Sequence, residues 1–495
     1  MNIEKAVVEL KAKFDEYKDK NDVIQTKNCI KKAIDLLSED ELTDEQTVSL
    51  NYSIATAYSD IIAADFKNLD QQAIEELYEE CIYYFRAALD NVENIKEDTN
   101  GLYQQLYTNA GNVYSEVGRI LEAMRLFDIA STKYGMFPMA YGNKGLAAYK
   151  LAHFLYDPSH SHILAHYSYF CLVNALKHKE YLDLHGNASQ FFESKKQILE
   201  NHYPNDFLIN SMDLGNYDFG KAKKEEAYRK WATLNSLFLN ELNDAITNPI
   251  VATDYLHLPS MIYNIGDDRW KFHYGMINQI KQEYVSARYM FYEGIQNRKI
   301  AHLADREVLQ IEIDMDVNSF SDFNIRTAFR TLYSLLDRIA FFMNEYFKLG
   351  IDVGKVSFRS IWKTQKGQKS ILKNCCENNY MLNAIYWLSK DIYDENYKRT
   401  TKPKSKEFDA LRNRMEHRYV VSVLGDAIVN NESIHQIDTV DLYDKTLELM
   451  RVVREAILYL IFAIHIEEQR KKDLSEKEGK VIPQLKTNVM PDVCK

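Results

Sequence analysis

Tyr107-Thr108-Asn109-Ala110-Gly111 is answered by Tyr141-Gly142-Asn143-Lys144-Gly145, with the Tyr, Asn and Gly each displaced by 34 residues. A period of that length marks a helix–turn–helix repeat. Between the copies, Ala123-Met124-Arg125-Leu126-Phe127 supplies the second helix of the unit, and Pro138 stands near the junction where a unit ends. One helix pair cannot bury its own apolar face, so neighbouring pairs must stack into a continuous core and leave a concave surface for a ligand or partner. Ser53-Ile54-Ala55-Thr56-Ala57-Tyr58 has the texture of Asn109 to Tyr114 at a 56-residue offset, which makes the array irregular.

The rest of the chain carries the same helical signal. Gly (17) and Pro (8) are scarce among 495 residues, Tyr (34) is abundant, and apolar residues recur at helical rather than alternating spacing. An all-α protein of two to four domains is expected. Met1 to Lys20 has no uninterrupted apolar core of the signal-peptide kind. The longest apolar run, Ala456 to Ile466, is about half the length needed to cross a bilayer and reads as a buried helix. The six cysteines form no C-x-x-C pair, which suits a reducing compartment. A cytoplasmic protein without membrane association is therefore expected. The net charge of −11 is unevenly spread: Lys355 to Arg418 holds fifteen Lys or Arg against seven Asp or Glu. That basic stretch is either a solvated helical surface or a phosphate-binding face.

Roughly residues 104 to 155 resemble a tetratricopeptide repeat, and the N-terminal 1–200 read as a tetratricopeptide-like helical array. Asn201 to Tyr217 is the most loop-like interior stretch and opens a helical connecting region, 201–318. Within it, Glu225 to Leu242 reads as one helix and Trp270 to Ile295 as one or two. Helices over Ile325–Leu349, Asn379 to about Asp391, about Lys406 to Val423, and Asp438 to about Lys471 then make a four-helix-bundle-sized domain over 319–472. Residues 473–495 read as a mobile tail.

The third helix of that block contains Leu411-Arg412-Asn413-Arg414-Met415-Glu416-His417-Arg418-Tyr419. This resembles the signature of the HEPN superfamily, an Arg followed by a polar residue and then, after four to six residues, a His. Extended by Tyr419, it resembles the Arg, His and Tyr pattern of HEPN toxins paired with a minimal nucleotidyltransferase. The placement in the penultimate helix, after a basic connection and before a long apolar helix, is similar to the HEPN order. A tetratricopeptide-like array ahead of it looks like a bacterial HEPN subgroup. The fold implied is a C-terminal HEPN-type four-helix bundle, and the activity implied is metal-independent endoribonuclease cleavage leaving 2′,3′-cyclic phosphate and 5′-hydroxyl ends.

At 100° per residue, Phe408, Leu411, Met415 and Tyr419 project within about 80° of one another and define a buried stripe. Measured from Phe408 in that stripe, Arg412 falls about 40°, Asn413 about 140° and His417 about 180° away, so His417 should face solvent, a cleft or a second subunit. The chemistry suits these side chains. A ribose 2′-hydroxyl attacks the adjacent phosphorus, His417 moves a proton, and guanidinium charge stabilises the phosphorane-like transition state. No metal or other cofactor is required. By resemblance, Arg412 is the phosphate-stabilising group and Asn413 a hydrogen-bonding aid. Asp337 and Tyr419 are accessory candidates, while Lys404, Lys406, Arg414 and Arg418 are candidates for binding RNA phosphates. Arg412 and Glu416, four apart, also suit a simple helical ion pair, and Asp337 is placed equally well to pair with Arg338.

The resemblance further implies RNA as partner, transfer RNA among the candidates, a homodimer through the HEPN domain, a protein or ligand trigger on the array, and a role in toxin or antiviral (abortive-infection-like) defence. Competing readings are a non-catalytic helical scaffold for protein or nucleic acid, and a nucleotidyltransferase partner modified at Tyr419. His153, His160, His162 and His166 crowd together, and His162 with His166 share a helix face, but no carboxylate follows in the zincin pattern, so surface histidines are the better reading than a metal site. No Gly-rich phosphate loop, G-x-S-x-G elbow or kinase signature is present.

Overall fold

The computed structural model describes residues 3–38, 41–95, 101–184, 186–308, 316–362, 371–392, 406–425 and 433–479. The N-terminal half is a succession of helices: α1 (Ile3–Asp19), α2 (Val23–Leu37), α3 (Asp44–Asp65), α4 (Gln71–Leu89), α5 (Leu102–Glu116), α6 (Ile120–Thr132), α7 (Pro138–Ala152) and α8 (Pro158–Leu176). Asp22, Thr43, Asp70 and Asp157 cap the first turns of α2, α3, α4 and α8 with their side-chain oxygens, satisfying amides that have no partner inside the helix.

The repeated glycines have a packing reason. A Cβ on Gly111 of α5 would lie 2.5 Å from the Phe127 ring of α6, and one on Gly145 of α7 would lie 3.0 Å from Cys171 Cβ of α8. Each marks the crossing of a helix hairpin, where a missing side chain lets the second helix approach. The repeated asparagines reach between helices: Asn109 donates to the Tyr52 hydroxyl (2.8 Å) and Asn143 to Asn112 Oδ1 (2.8 Å).

Shorter helices α9 (Lys179–Leu184), α10 (Ala188–His202), α11 (Asn205–Ile209) and α12 (Lys223–Leu234) lead away from the array. The single helix expected over Glu225–Leu242 is not formed: α12 stops at Leu234, Ser236 takes a left-handed φ of 54°, and a short 3-10 turn follows at Glu241–Asp244. Buried side chains hold this irregular segment. Asn243 donates to Thr233 O at 3.0 Å, Arg288 donates to Leu237 O at 2.8 Å, and Arg454 donates to Asn240 O at 2.9 Å. These bonds replace the helical ladder for carbonyls that would otherwise be buried unpaired.

Beyond this lie α13 (Arg269–Gln296), α14 (Leu303–Arg306), α15 (Phe320–Tyr346), α16 (Ile371–Cys376), α17 (Tyr380–Ile392), α18 (Lys406–His417) and α19 (Thr439–Lys477). The chain is all-α in class, with, among the described residues, one small sheet in the order β1 (Asp316–Val317), β2 (Tyr419–Val423) and β3 (Ile434–Asp438). β1 runs antiparallel to β2, and β2 runs parallel to β3. The sheet corrects the sequence reading of one helix from about Lys406 to Val423. Val420, Val421 and Val423 are β-branched and favour extended backbone, and β2 has a pairing partner on each side. At the other end α19 continues to Lys477, so 473–477 are helical and not tail.

One apolar cluster runs from Val7 of α1 to Ile464 of α19. Its centre is Ala456 to Ile464, every side chain of which is fully buried. No helix among the described residues is long and apolar enough to cross a membrane.

Candidate active site

α18 is held by the stripe its sequence proposes. Phe408 and Leu411 are buried, Met415 packs against the same core, and the Phe408 ring stands 6.3 Å from Phe329 of α15. Asn413 and His417 are exposed on the opposite side, and His417 has no hydrogen-bond or ion-pair partner among the described residues. Tyr419 departs from the expectation. It belongs to β2, not to the helical stripe, and is 74% exposed.

Arg412 is half-buried. Its guanidinium carbon lies 5.7 Å from the Tyr333 ring centroid, and Nη1 donates to Asn413 Oδ1 at 2.9 Å. The cation–aromatic contact and the hydrogen bond fix its direction without neutralising its charge. Asp337 of α15 accepts from the Phe358 amide at 2.9 Å, while neighbouring Arg338 reaches back to Glu283 of α13 at 2.8 Å. Arg414 Nη1 stands 2.7 Å from His435 Nδ1 of β3. Arg418 is exposed where the helix gives way to β2. Lys404 lies outside the described residues; Lys406 opens α18, and its side chain is likewise outside them.

The floor beneath the motif comes from α15 and β2. Arg326 donates to Val420 O at 2.7 Å and pairs with Asp322 at 2.7 Å, and the Ser422 hydroxyl donates to the same Asp322. Burial raises the Asp322 carboxyl above its ordinary value, against the pull of Arg326. Sequence reasoning missed His435, Tyr333 and the Asp322–Arg326 pair. A signal existed for the first: Val420 to Val423, followed by Gly425 and then the apolar Ile434 and Ile437, is a strand pattern.

The basic stretch resolves into unlike parts. The Lys and Arg residues of 363–370 and 393–405 lie outside the described residues. Lys390 is no surface charge at all: it is fully buried at the end of α17, where it pairs with Glu79 and, at 2.6 Å, with Glu75 of α4.

Beside it runs a seam of charge between the array and the C-terminal helices. Asp391 accepts from Arg86 of α4 (2.8 Å) and from Arg119, which also pairs with Glu122 of α6; Arg125 of α6 pairs with Glu455 of α19 at 2.8 Å. Burial opposes ionisation of Glu122, but Arg119, Arg86 and Arg125 hold its carboxyl below the ordinary range. For Glu455 burial prevails and raises it. The Leu121 amide adds a bond of 3.0 Å to the Tyr459 hydroxyl. At Gly118, φ is +100° and a Cβ would sit 2.7 Å from Tyr380 O, so the array turn lies directly on α17.

The clustered histidines go separate ways. His160 pairs with Glu241 (2.7 Å), His166 meets Asn210 O (2.9 Å), His153 meets Tyr149 O (2.8 Å), and His162 lies against Tyr203. No group of three or more metal-ligating side chains occurs among the described residues. The array also holds a cavity of about 270 Å³ lined by Lys11, Asp15, Lys18, Tyr52, Asp60 and Asn109. Burial pushes the Tyr52 hydroxyl up to about 12.

Residues 267–467 match the family model described as LA2681-like HEPN, a stretch that takes in α13, α15, α17, α18 and most of α19. No curated protein and no solved structure matches the chain. With α18 and its Arg412-Asn413-His417 sequence inside the matched stretch, the chain carries an LA2681-like HEPN domain behind an N-terminal helical region.

Proposed function

We propose that this protein is a metal-independent endoribonuclease of HEPN type, acting in toxin or antiviral (abortive-infection-like) defence in the cytoplasm. The observation that carries the reading is an exposed His417 with Asn413 and two oriented guanidiniums, Arg412 and Arg414, on one short helix inside the HEPN match. The 2′-oxygen of a ribose bonds to the adjacent phosphorus, the bond from phosphorus to the 5′-oxygen breaks, and the products carry a 2′,3′-cyclic phosphate and a 5′-hydroxyl. His417 takes the 2′-hydroxyl proton or delivers one to the departing oxygen, and the arginines face the charge that grows on the phosphoryl oxygens. The exposure of His417 suits a site closed by a second copy of the domain. RNA, with transfer RNA as a candidate, is the substrate, and a protein or ligand on the array is the trigger.

The test is growth and RNA integrity in cells expressing wild type, Arg412→Ala or His417→Ala, with the fold of each checked by circular dichroism. Cut RNA with cyclic-phosphate ends in wild type alone is expected. RNA cut equally by wild type and both folded variants would remove the assignment.

A further inference from the structure

We infer that His435 is a positioning residue for RNA cleavage, holding the Arg414 guanidinium on the face of α18 that carries His417; this rests on the nuclease reading above. β3 pairs with β2 so that His435 stands opposite Val420, three residues past the end of α18. There its Nδ1 lies 2.7 Å from Arg414 Nη1. A guanidinium nitrogen only donates, so Nδ1 must be the accepting lone pair, the imidazole is neutral, and its remaining proton sits on Nε2. The geometry therefore fixes both tautomer and charge state.

The choice of arginine follows from helix geometry. At 100° per residue Arg414 lies about 60° from His417 and Asn413 about 40° from it, whereas Arg412 lies about 140° away. Arg412 is turned towards Tyr333 of α15. A phosphate meeting His417 on this helix therefore meets Arg414 as the nearest guanidinium. Arg414 has no carboxylate partner among the described residues, and the acceptor that orients it there is neutral. A carboxylate in place of His435 would fix the side chain equally well but cancel the charge the phosphate needs.

Among the described residues, three charged groups act on the imidazole: Arg414 from α18, and Lys445 and Asp441 from α19. Burial, then Arg414 and Lys445, hold it below its ordinary value, with Asp441 acting the other way. The neutral acceptor thus persists at neutral pH. Protonation at acid pH would set two cations against each other and release Arg414.

The experiment uses the full chain and measures kcat and KM for RNA cleavage across pH in wild type, His417→Ala, Arg414→Ala, His435→Ala, His435→Gln and the Arg414→Ala/His435→Ala double variant. His435→Ala should lower kcat about 10- to 100-fold with a smaller change in KM, as expected for a misplaced transition-state group. The double variant should be no worse than Arg414→Ala alone, because the histidine acts only through the arginine. His435→Gln, whose amide oxygen accepts without titrating, should recover kcat relative to His435→Ala and lose one ionisation from the acid limb. Additive losses in the double variant, or a His435→Ala profile equal to wild type while His417→Ala is inactive, would overturn the role of His435 and leave the nuclease reading intact. Wild type and His417→Ala that leave RNA equally uncut would overturn the nuclease reading and this inference with it.

Discussion

Arg119 and Arg414 are the same side chain in opposite circumstances. Arg119 is fully buried in the seam between α6, α17 and α19, matched to Asp391 and Glu122. Arg414 is half-buried on α18 and, among the described residues, is matched to a neutral imidazole. Around the first, three arginines meet three carboxylates, Glu122, Asp391 and Glu455, and the charge is spent inside the protein. Around the second, Arg412, Arg414 and His417 meet no carboxylate among the described residues. Charge that is cancelled in a dry setting holds elements together, and charge that is oriented but uncancelled is available to a substrate. A chain rich in arginine gives no sign in its composition of which use each one serves.

The largest expected effect breaks the comparison on the exposed side. His417→Ala should lower RNA cleavage by about 10²–10⁴-fold while melting temperature and circular dichroism stay at wild-type values. A variant that unfolds would instead place His417 with the structural charges. On the buried side, Asp391→Ala leaves Arg86 and Arg119 in the core with Glu122 as their shared carboxylate, one buried charge short of balance, and should cost about 3–5 kcal/mol of stability, read as a lower urea midpoint. A cost below about 1 kcal/mol would mean that water reaches the seam and that its ion pairs behave like surface ones. Gly111→Ala tests the packing that brings α6 to the seam. Its Cβ would press on the buried Phe127 ring, and a loss of about 1–3 kcal/mol is expected in the same assay.

The smallest effect sharpens the contrast with a titratable pair. Burial alone would lower His160, but its bond to Glu241 raises it above the ordinary value. A raised histidine adds stability that is fully present below the unfolded value of about 6.5 and is lost as pH rises through the folded one. Unfolding free energy should therefore decline across that window in wild type and lose this component in Glu241→Gln.

Much of how the candidate site's side chains are placed could be read from residue order alone. Phe408, Leu411 and Met415 announce the buried side of α18, and the same wheel sends Asn413 and His417 outward, as observed. α15, α17 and α19 were legible from their apolar periods, with shifts of a few residues at their ends. Tyr419 misled because its spacing from Met415 fits one more helical turn, whereas Val420 to Val423 find strand partners at 316–317 and 434–438 that no local period reveals. Lys390 misled for the same reason: it counts as one more positive charge in a basic stretch until Glu75 and Glu79, more than 300 residues earlier, close around it. Local signals speak for faces and periods, and burial by a distant partner is silent in them.

The seam also governs what can be inherited separately. Lys390 and Asp391 end α17, the last described element before the motif helix, and their counter-charges Glu75, Glu79, Arg86 and Arg119 all belong to the array. A foreign array joined to this HEPN domain would have to bring two acids and two arginines to the same points, or bury an ion without its mate. The array and the domain it precedes are thus bound to change together, and swapping one half between relatives requires swapping the matching charges of the other.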